Sequence, residues 1–410
     1  MDLQPRCREK LVRLIEKGVD IPNPATIDIG DEVSVDRISG KGVRLCPGCR
    51  IYGKQTVVSA GCVLGREAPA TVDDCQLGPG VELKGGYFAK SVFLEKANMG
   101  SGAQVREGCI LEEEANGAHC VGIKQTILFP FVTLGSLINF CDCLMTGGTS
   151  RKDHSEVGSS YIHFNFTPEG DKTTASLIGD VPRGVMLNRR AIFLGGQGGI
   201  VGPIRMGFGN VVAANSVLRG DYPEDDRLIV GKQPSPRAIP YVRRAYPGLR
   251  RIVENNVVYM ANLAALGEWY AHVRRPFFEP QEFGPLVYAG ALEKLGMAMK
   301  ERVKRLEALA GKVKEPPEGG KETPGEAAFR KEFSAKFPEI AAVFASAARD
   351  GEAEKLRNDF LSASDKARGA GGAGYVGVIQ GLPADVSAKG TAWLQRIVDS
   401  CRERAAGIMP

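Results

Sequence analysis

Five aliphatic residues spaced six apart constrain this chain more than any other feature in it. Leu194, Ile200, Met206, Val212 and Leu218 recur in the stretch LGGQGGIVGPIRMGFGNVVAANSVL. A helix needs apolar residues every three to four positions and a half-buried strand needs them every two, so a strict step of six calls for another geometry. A hexapeptide β-helix supplies it, with short strands forming each triangular coil, the aliphatic pointing into the prism and small residues turning the corners.

The step extends upstream in broken form. Ile27 to Val33, Val57 to Val63, Leu77 to Leu83, Val105 to Leu111, Leu128 to Leu134 and Val132 to Ile138 each repeat it, with corner signals at Ile29-Gly30, Leu64-Gly65, Leu77-Gly78 and Leu134-Gly135. The expected organisation is an N-terminal helix and turn over 1–24, a β-helix over 25–235 and helical segments over 236–310 and 326–410, joined by a solvated linker at 311–325. Leu11, Leu14 and Ile15 mark the first helix, which Pro22 and Pro24 end. Residues 141–173, which hold two of the four histidines, are expected to leave the coil as a loop insertion suited to function. After Leu228-Ile229-Val230-Gly231-Lys232-Gln233-Pro234 the helical spacing begins, and Gly369 to Gly374 and Pro383 break its last segment.

Charge narrows the class of partner. A net charge of +5, with 53 basic and 48 acidic residues intermixed, does not fit a dedicated nucleic-acid binder. No stretch reaches the roughly 18 apolar residues of a membrane span, so the expectation is a soluble, cytoplasmic protein. Ten scattered cysteines then read as reduced and buried. Cys46-Pro47-Gly48-Cys49 has zinc-like or redox spacing, and Cys141-Asp142-Cys143 with His154 would suggest a metal. Neither has the second pair a zinc site needs, so no metal is expected.

Over roughly 15–235 the chain resembles the C-terminal left-handed β-helix of the bifunctional bacterial N-acetylglucosamine-1-phosphate uridyltransferase/glucosamine-1-phosphate acetyltransferase family. The resemblance is carried by Phe164-Asn165-Phe166, then Lys172-Thr173-Thr174 and Ile178-Gly179-Asp180, similar to the family's Asn-Tyr-Asp-Gly loop running into Lys-Thr and Ile-Gly-Asp. Upstream, Val105-Arg106-Glu107-Gly108 is similar to the family's Leu-Arg-Pro-Gly, and Lys124 in Val121-Gly122-Ile123-Lys124 lies where the family has a lysine on the sugar phosphate. The resemblance implies a trimeric left-handed parallel β-helix with sites between neighbouring prisms, and coenzyme A as the carrier of the acyl group. It implies sugar-phosphate or nucleotide-sugar binding by Arg106, Lys124, Asn139 and Lys172, and a coenzyme A groove near Ala213 and Ala214. Nothing in residues 1–25 matches the family's uridyltransferase half, and no uridyltransferase activity is expected.

One departure bears on the chemistry. After Leu134-Gly135-Ser136-Leu137-Ile138, where the family has its catalytic histidine, stands Asn139, and an amide takes up no proton near neutral pH. His154 and His163 are the candidate replacement bases, with Asn165 beside them to orient a sugar hydroxyl or the acyl donor. Each has a plainer role open to it: a solvated loop residue for His154, a hydrogen-bonded structural histidine for His163 and an Asx turn for Asn165. Two functions follow: a hexapeptide-repeat N-acyltransferase, or a non-catalytic nucleotide-sugar-binding or scaffold β-helix whose helical C-terminus recruits a protein partner.

Overall fold

The computed structural model describes residues 5–231, 236–319, 322–347, 350–367 and 374–409. The boundary at 235 and residues 369–373 of the expected break lie outside the described residues. The first half is a left-handed parallel β-solenoid of about 11 turns, and helices make up the second. Each coil lays one short strand on each of three faces, so a strand pairs with its counterparts one coil away rather than with its sequence neighbours. One face is ten-stranded, from Arg44–Leu45 to Leu228–Ile229, and another eight-stranded, from Val57–Val58 to Arg205–Met206. The third is split: six strands from Asp28–Ile29 to Gly122–Ile123, then three from Ile162–Phe164 to Val217–Leu218.

The step of six is the packing rule of the interior. Leu194 stacks beside Val212, Ile200 beside Leu218 and Met206 beside Ile178, all buried. Sequestering each such side chain contributes about 1.5–3 kcal/mol, repeated coil after coil. Val57 and Val63 fall out of phase with this rule. The inward residues there are Val58 and Leu64, in register with Leu77 and Leu83, whereas Val57 points outward under the helices and Val63 lies half-buried on the outer surface.

Residues 141–173 are more regular than a single loop insertion. Cys143–Met145, Glu156–Val157 and Ile162–Phe164 each join a face of the solenoid. The chain leaves the coil twice, in a hairpin pairing Gly148–Ser150 with Asp153–His154, and over 165–175 between the strands Ile162–Phe164 and Ser176–Ile178.

Helix α1 (Arg8–Lys17) closes the N-terminal end: Leu11 and Leu14 are buried, and Lys10 and Lys17 donate to backbone oxygens of the first coil, among them Gly30 and Ile38 at 2.7 and 2.6 Å. A single turn, α2 (Val181–Gly184), is capped by Asp180 and tied to the helical half where Val181 N donates to Asn262 Oδ1 at 2.9 Å. The second half comprises α3 (Leu249–Trp269), α4 (Arg275–Phe278), α5 (Gly284–Lys312), α6 (Pro324–Ala345), α7 (Gly351–Ala367), α8 (Tyr375–Gln380) and α9 (Ala384–Ile408). Helix α5 ends at Lys312, so the segment expected as a linker is helical for its first two residues, and α6 starts at Pro324 behind a Thr323–Glu326 capping box.

The helices cover the eight-stranded face. Its outward residues Val92, Ile110, Ile127, Leu144 and Leu177 are apolar and buried, whereas the other two faces carry charged, polar and exposed side chains. A strand buried on both sides must be apolar on both, which explains dipeptides such as Val92-Phe93, Ile110-Leu111 and Ile127-Leu128. Gly290 on α5 fits closely over this face, since a Cβ there would stand 2.3 Å from Gln76 Oε1. Helix α3, buried on most of its surface, is enclosed by α5, α6, α9 and the solenoid.

Candidate functional site

Parallel register gathers the upstream candidates on the split face. Val105 pairs with Ile123, so Arg106 and Lys124 follow at matching positions on adjacent coils, about 4.8 Å apart along the ladder. Asn139 occupies the next coil alone: it bridges Gly122 on one side and Ile162 on the other, and so joins the two halves of this face. His163 and Asn165 come one coil later, in and just beyond the strand Ile162–Phe164.

Their environments differ sharply. Arg106 and Asn139 are exposed. Lys124 Nζ lies 2.5 Å from Glu107 Oε1 and holds that carboxyl below its ordinary pKa, so the lysine carries its own counter-ion. Asn139 Oδ1 accepts from Cys141 Sγ at 3.3 Å. Asn165 donates from Nδ2 to Asp142 Oδ2 at 2.7 Å. Exposed Ile162, Phe164 and Phe166 form an apolar strip beside these groups, and Lys172 lies with its Nζ 5.9 Å from the Phe166 ring centre.

His163 is a structural residue. It is 1% exposed and points into the prism, where Nε2 meets Ser176 Oγ at 2.8 Å and Phe140 packs edge-on with ring centres 6.1 Å apart. Burial pushes its pKa down to about 4, so at neutral pH the imidazole is uncharged and enclosed, unable to take a proton from a ligand outside. His154 sits in the hairpin beside the ten-stranded face, with Nδ1 3.0 Å from Arg151 O and Nε2 3.5 Å from Glu156 Oε2.

Ala213 and Ala214 also lie away from the split face, just after Val211–Val212 on the ten-stranded one. Gly195 stacks directly on them: a Cβ at Gly195 would come within 2.4 Å of Ala214 N. Close approach of two coil corners accounts for small residues in both places. Arg106, Lys124, Asn139 and Asn165 are therefore brought together, Lys172 follows in the adjoining segment, and His154, Ala213 and Ala214 are on other surfaces.

Three residues of this region were missed in the sequence. Asp142 orients Asn165, Glu107 pairs with Lys124 and Ser176 meets His163. Glu107 had a signal, being next to Arg106 in the quoted motif. Asp142 and Ser176 had none, because their partners are more than ten residues away. Among the described residues no group of three or more His, Cys, Asp or Glu side chains is arranged to hold a metal, and of the ten cysteines Cys120 is exposed and the others buried. No described helix is long and apolar enough to cross a membrane. A cavity of about 540 Å³ among Arg205, Arg250, Phe329 and Met409 shares no lining residue with the split-face candidates.

No family model matches the chain. Curated relatives do. It is 28% identical over 215 residues to the bifunctional protein GlmU of Thermotoga maritima, covering 52% of this chain and 42% of the relative. The GlmU of Carboxydothermus hydrogenoformans is 27% identical over 217 residues (53% and 43%), and that of Staphylococcus haemolyticus 23% over 211 (52% and 41%). The chain thus spans less than half the length of the relatives it matches. The similarity over half the chain and the solenoid together are consistent with a GlmU-like C-terminal left-handed β-helix, the acetyltransferase-type domain.

Proposed function

We propose that the protein is a hexapeptide-repeat, acyltransferase-like β-helix whose split face binds an amino-sugar phosphate or a nucleotide sugar. The observation that supports this best is the register that sets Arg106, Lys124 and Asn139 on successive coils of one face, with Asn165 just past the strand of the next coil. A guanidinium and an ammonium side by side suit phosphate oxygens, and the two amides offer donors and acceptors to sugar hydroxyls. In this proposal Lys172 closes the anionic end of the site. A homotrimer in the cytoplasm, with neighbouring solenoids completing each site, belongs to the same proposal, as does an acyl-coenzyme A donor lying along Ala213 and Ala214.

Acyl transfer to an amine needs a base near neutral pH. Asn139 is an amide and His163 is sealed in the prism, so of the two candidate bases named from the sequence His154 is the one able to serve if a neighbouring subunit's site includes it. That observation favours a second reading, in which the face binds the sugar ligand without catalysing transfer. The helical half then contributes as a support for the solenoid, with any remaining surface free for a protein partner.

Calorimetric titration with glucosamine 1-phosphate and with UDP-N-acetylglucosamine, alongside an assay of coenzyme A release from acetyl-coenzyme A, tests both readings. Binding that weakens about tenfold or more in Arg106→Ala and in Lys124→Ala is expected, the size of one lost charge-assisted contact. Turnover lost in His154→Gln supports catalysis, and binding without turnover supports the second reading. Neither binding nor turnover across the panel would sink both.

A further inference from the structure

The helical half reaches the candidate site through one buried carboxylate. Asp142 sits at a left-handed corner of the solenoid, with φ 59°, and is 6% exposed. Its Oδ2 accepts from Asn165 Nδ2, and its Oδ1 accepts from Nη2 of Arg302, a residue of α5 that is 2% exposed. The three side chains form a chain from helix to solenoid corner to the first residue beyond the strand Ile162–Phe164. Further along, the same segment is held by helix residues again: Lys312 Nζ donates to Glu169 O at 2.7 Å, and Asn256 Nδ2 donates to Thr173 O at 3.0 Å. No ladder pairing fixes 165–175, so side-chain contacts hold it, those with the second half prominent among them.

An amide has one donor end and one acceptor end. With one N–H of Nδ2 on Asp142, Asn165 has its nitrogen turned inward and presents Oδ1, its acceptor, on the other side. We infer that Arg302 is a positioning residue: acting through Asp142, it fixes Asn165 with its nitrogen inward and its Oδ1 outward, so that this point of the site offers an acceptor to a hydrogen-bond donor such as a sugar hydroxyl or an amine. The inference rests on the binding role proposed for the split face. It also gives the helical half a task at the site: a buried ion pair is weak evidence for stability, and here it serves to orient the amide that shares its carboxylate.

Hydrogen exchange of the full chain tests the positioning without any ligand. In Arg302→Met, amide exchange over 165–173 is expected to rise about tenfold while the strands Asn116–Gly117 and Thr133–Leu134 stay as they are, and Arg302→Lys, which keeps a cation opposite Asp142, is expected to restore protection to within about twofold. Should Arg302→Met fail to fold, the Arg302→Met/Asp142→Asn double variant removes both buried charges and is expected to show the same local rise. Unchanged exchange over 165–173 in a folded variant overturns the positioning role. The ligand half is read by titration with glucosamine 1-phosphate: affinity at least about tenfold weaker in Arg302→Met and recovered in Arg302→Lys supports it. Affinity equal to that of the unaltered protein overturns it even if exchange has risen. Absence of binding in the unaltered protein is instead the failure of the proposed function and leaves the exchange result to stand by itself.

Discussion

The interior of the solenoid and the seam between solenoid and helices are both fully buried, yet they treat charge in opposite ways. Inside the prism the stacked residues are mostly aliphatic, aromatic or sulfur-containing, none carries a charge, and the one imidazole, His163, is held neutral against the Ser176 hydroxyl. Along the seam lie Arg274, Arg302 and Lys294, each 2% exposed or less. Arg274 makes a forked contact with Glu113 at 2.6 and 3.1 Å, stands 3.7 Å from Glu112, and packs its guanidinium 3.7 Å from the centre of the Tyr375 ring. Tyr270 completes the cluster by donating to Glu112 at 2.5 Å. A repeat meets one packing problem many times and solves it with one residue class. A seam meets its problem once, and a planar cation with several partners fixes how two unlike surfaces meet.

The largest effect expected from this contrast comes from breaking the seam. Arg274→Met keeps much of the side-chain volume but leaves Glu113, which is mostly buried, and the ionised fraction of buried Glu112 without a cation. Loss of one partner from a buried pair costs about 3–5 kcal/mol. Thermal and urea unfolding should both register it, with the helical signal lost first. A cost below about 1 kcal/mol would mean that apolar contact alone holds the helices on the eight-stranded face.

A second effect separates the two regions by pH. Burial pushes Glu112 up to about 7, against the pull of Arg274, from an ordinary value of 4.5. The folded chain therefore keeps a proton that the unfolded chain releases, so this contribution is fully present below about 4.5 and is lost as pH rises through about 7. His163 runs the other way. Its pKa falls from 6.5 to about 4, so the unfolded chain takes up a proton that the folded one refuses, and stability is lost as pH drops from 6.5 towards 4. At about 1.4 kcal/mol per unit, each group is worth at most about 3.5 kcal/mol. The two slopes oppose one another over the shared window. Urea titrations at a series of pH values should therefore show stability rising more steeply with pH in Glu112→Gln than in the unaltered protein, and less steeply in His163→Gln. Shifts of the same sign in both variants would mean that burial does not hold both groups toward their neutral forms, an acid in the seam and a base in the prism.

How much of this was legible in the sequence follows the same division. Leu194 to Leu218 announced the solenoid because one inward position recurs on every face of each coil, and the short matches at Arg106 and Lys124 fell on one face because the ladder is in register, with Asn165 just past the strand Ile162–Phe164. Val57 misled because the eight-stranded face is covered: an outward valine there is as buried as an inward one, and periodicity cannot tell them apart; Val63, six residues on, carried the same phase error onto the ten-stranded face, where it is half-buried. The partners of Arg302 and Arg274 were invisible, since each pair joins positions about 160 residues apart. His163 was the costliest ambiguity. Alternation placed it on a strand with Phe164 and Phe166, but not on the inward side, and that side decides whether it is a base or a packing residue.

The smallest expected change in stability carries the sharpest test of the split face. Asn139 is exposed and alone on its coil, so Asn139→His should alter stability by no more than about 0.5 kcal/mol. An exposed imidazole titrates near neutral pH, and a well-placed base contributes roughly 10²–10⁴-fold to proton transfer. If the face holds an amino sugar as proposed, coenzyme A release from acetyl-coenzyme A with glucosamine 1-phosphate should rise at least about tenfold in this variant. The rise should depend on Arg106 and Lys124, because without them the amine is not held beside the new base. No rise, with the sugar phosphate still bound, would mean that more than the base is missing and that this face has become a binding surface. A rise would mean the geometry of acyl transfer persists around an amide that cannot complete it.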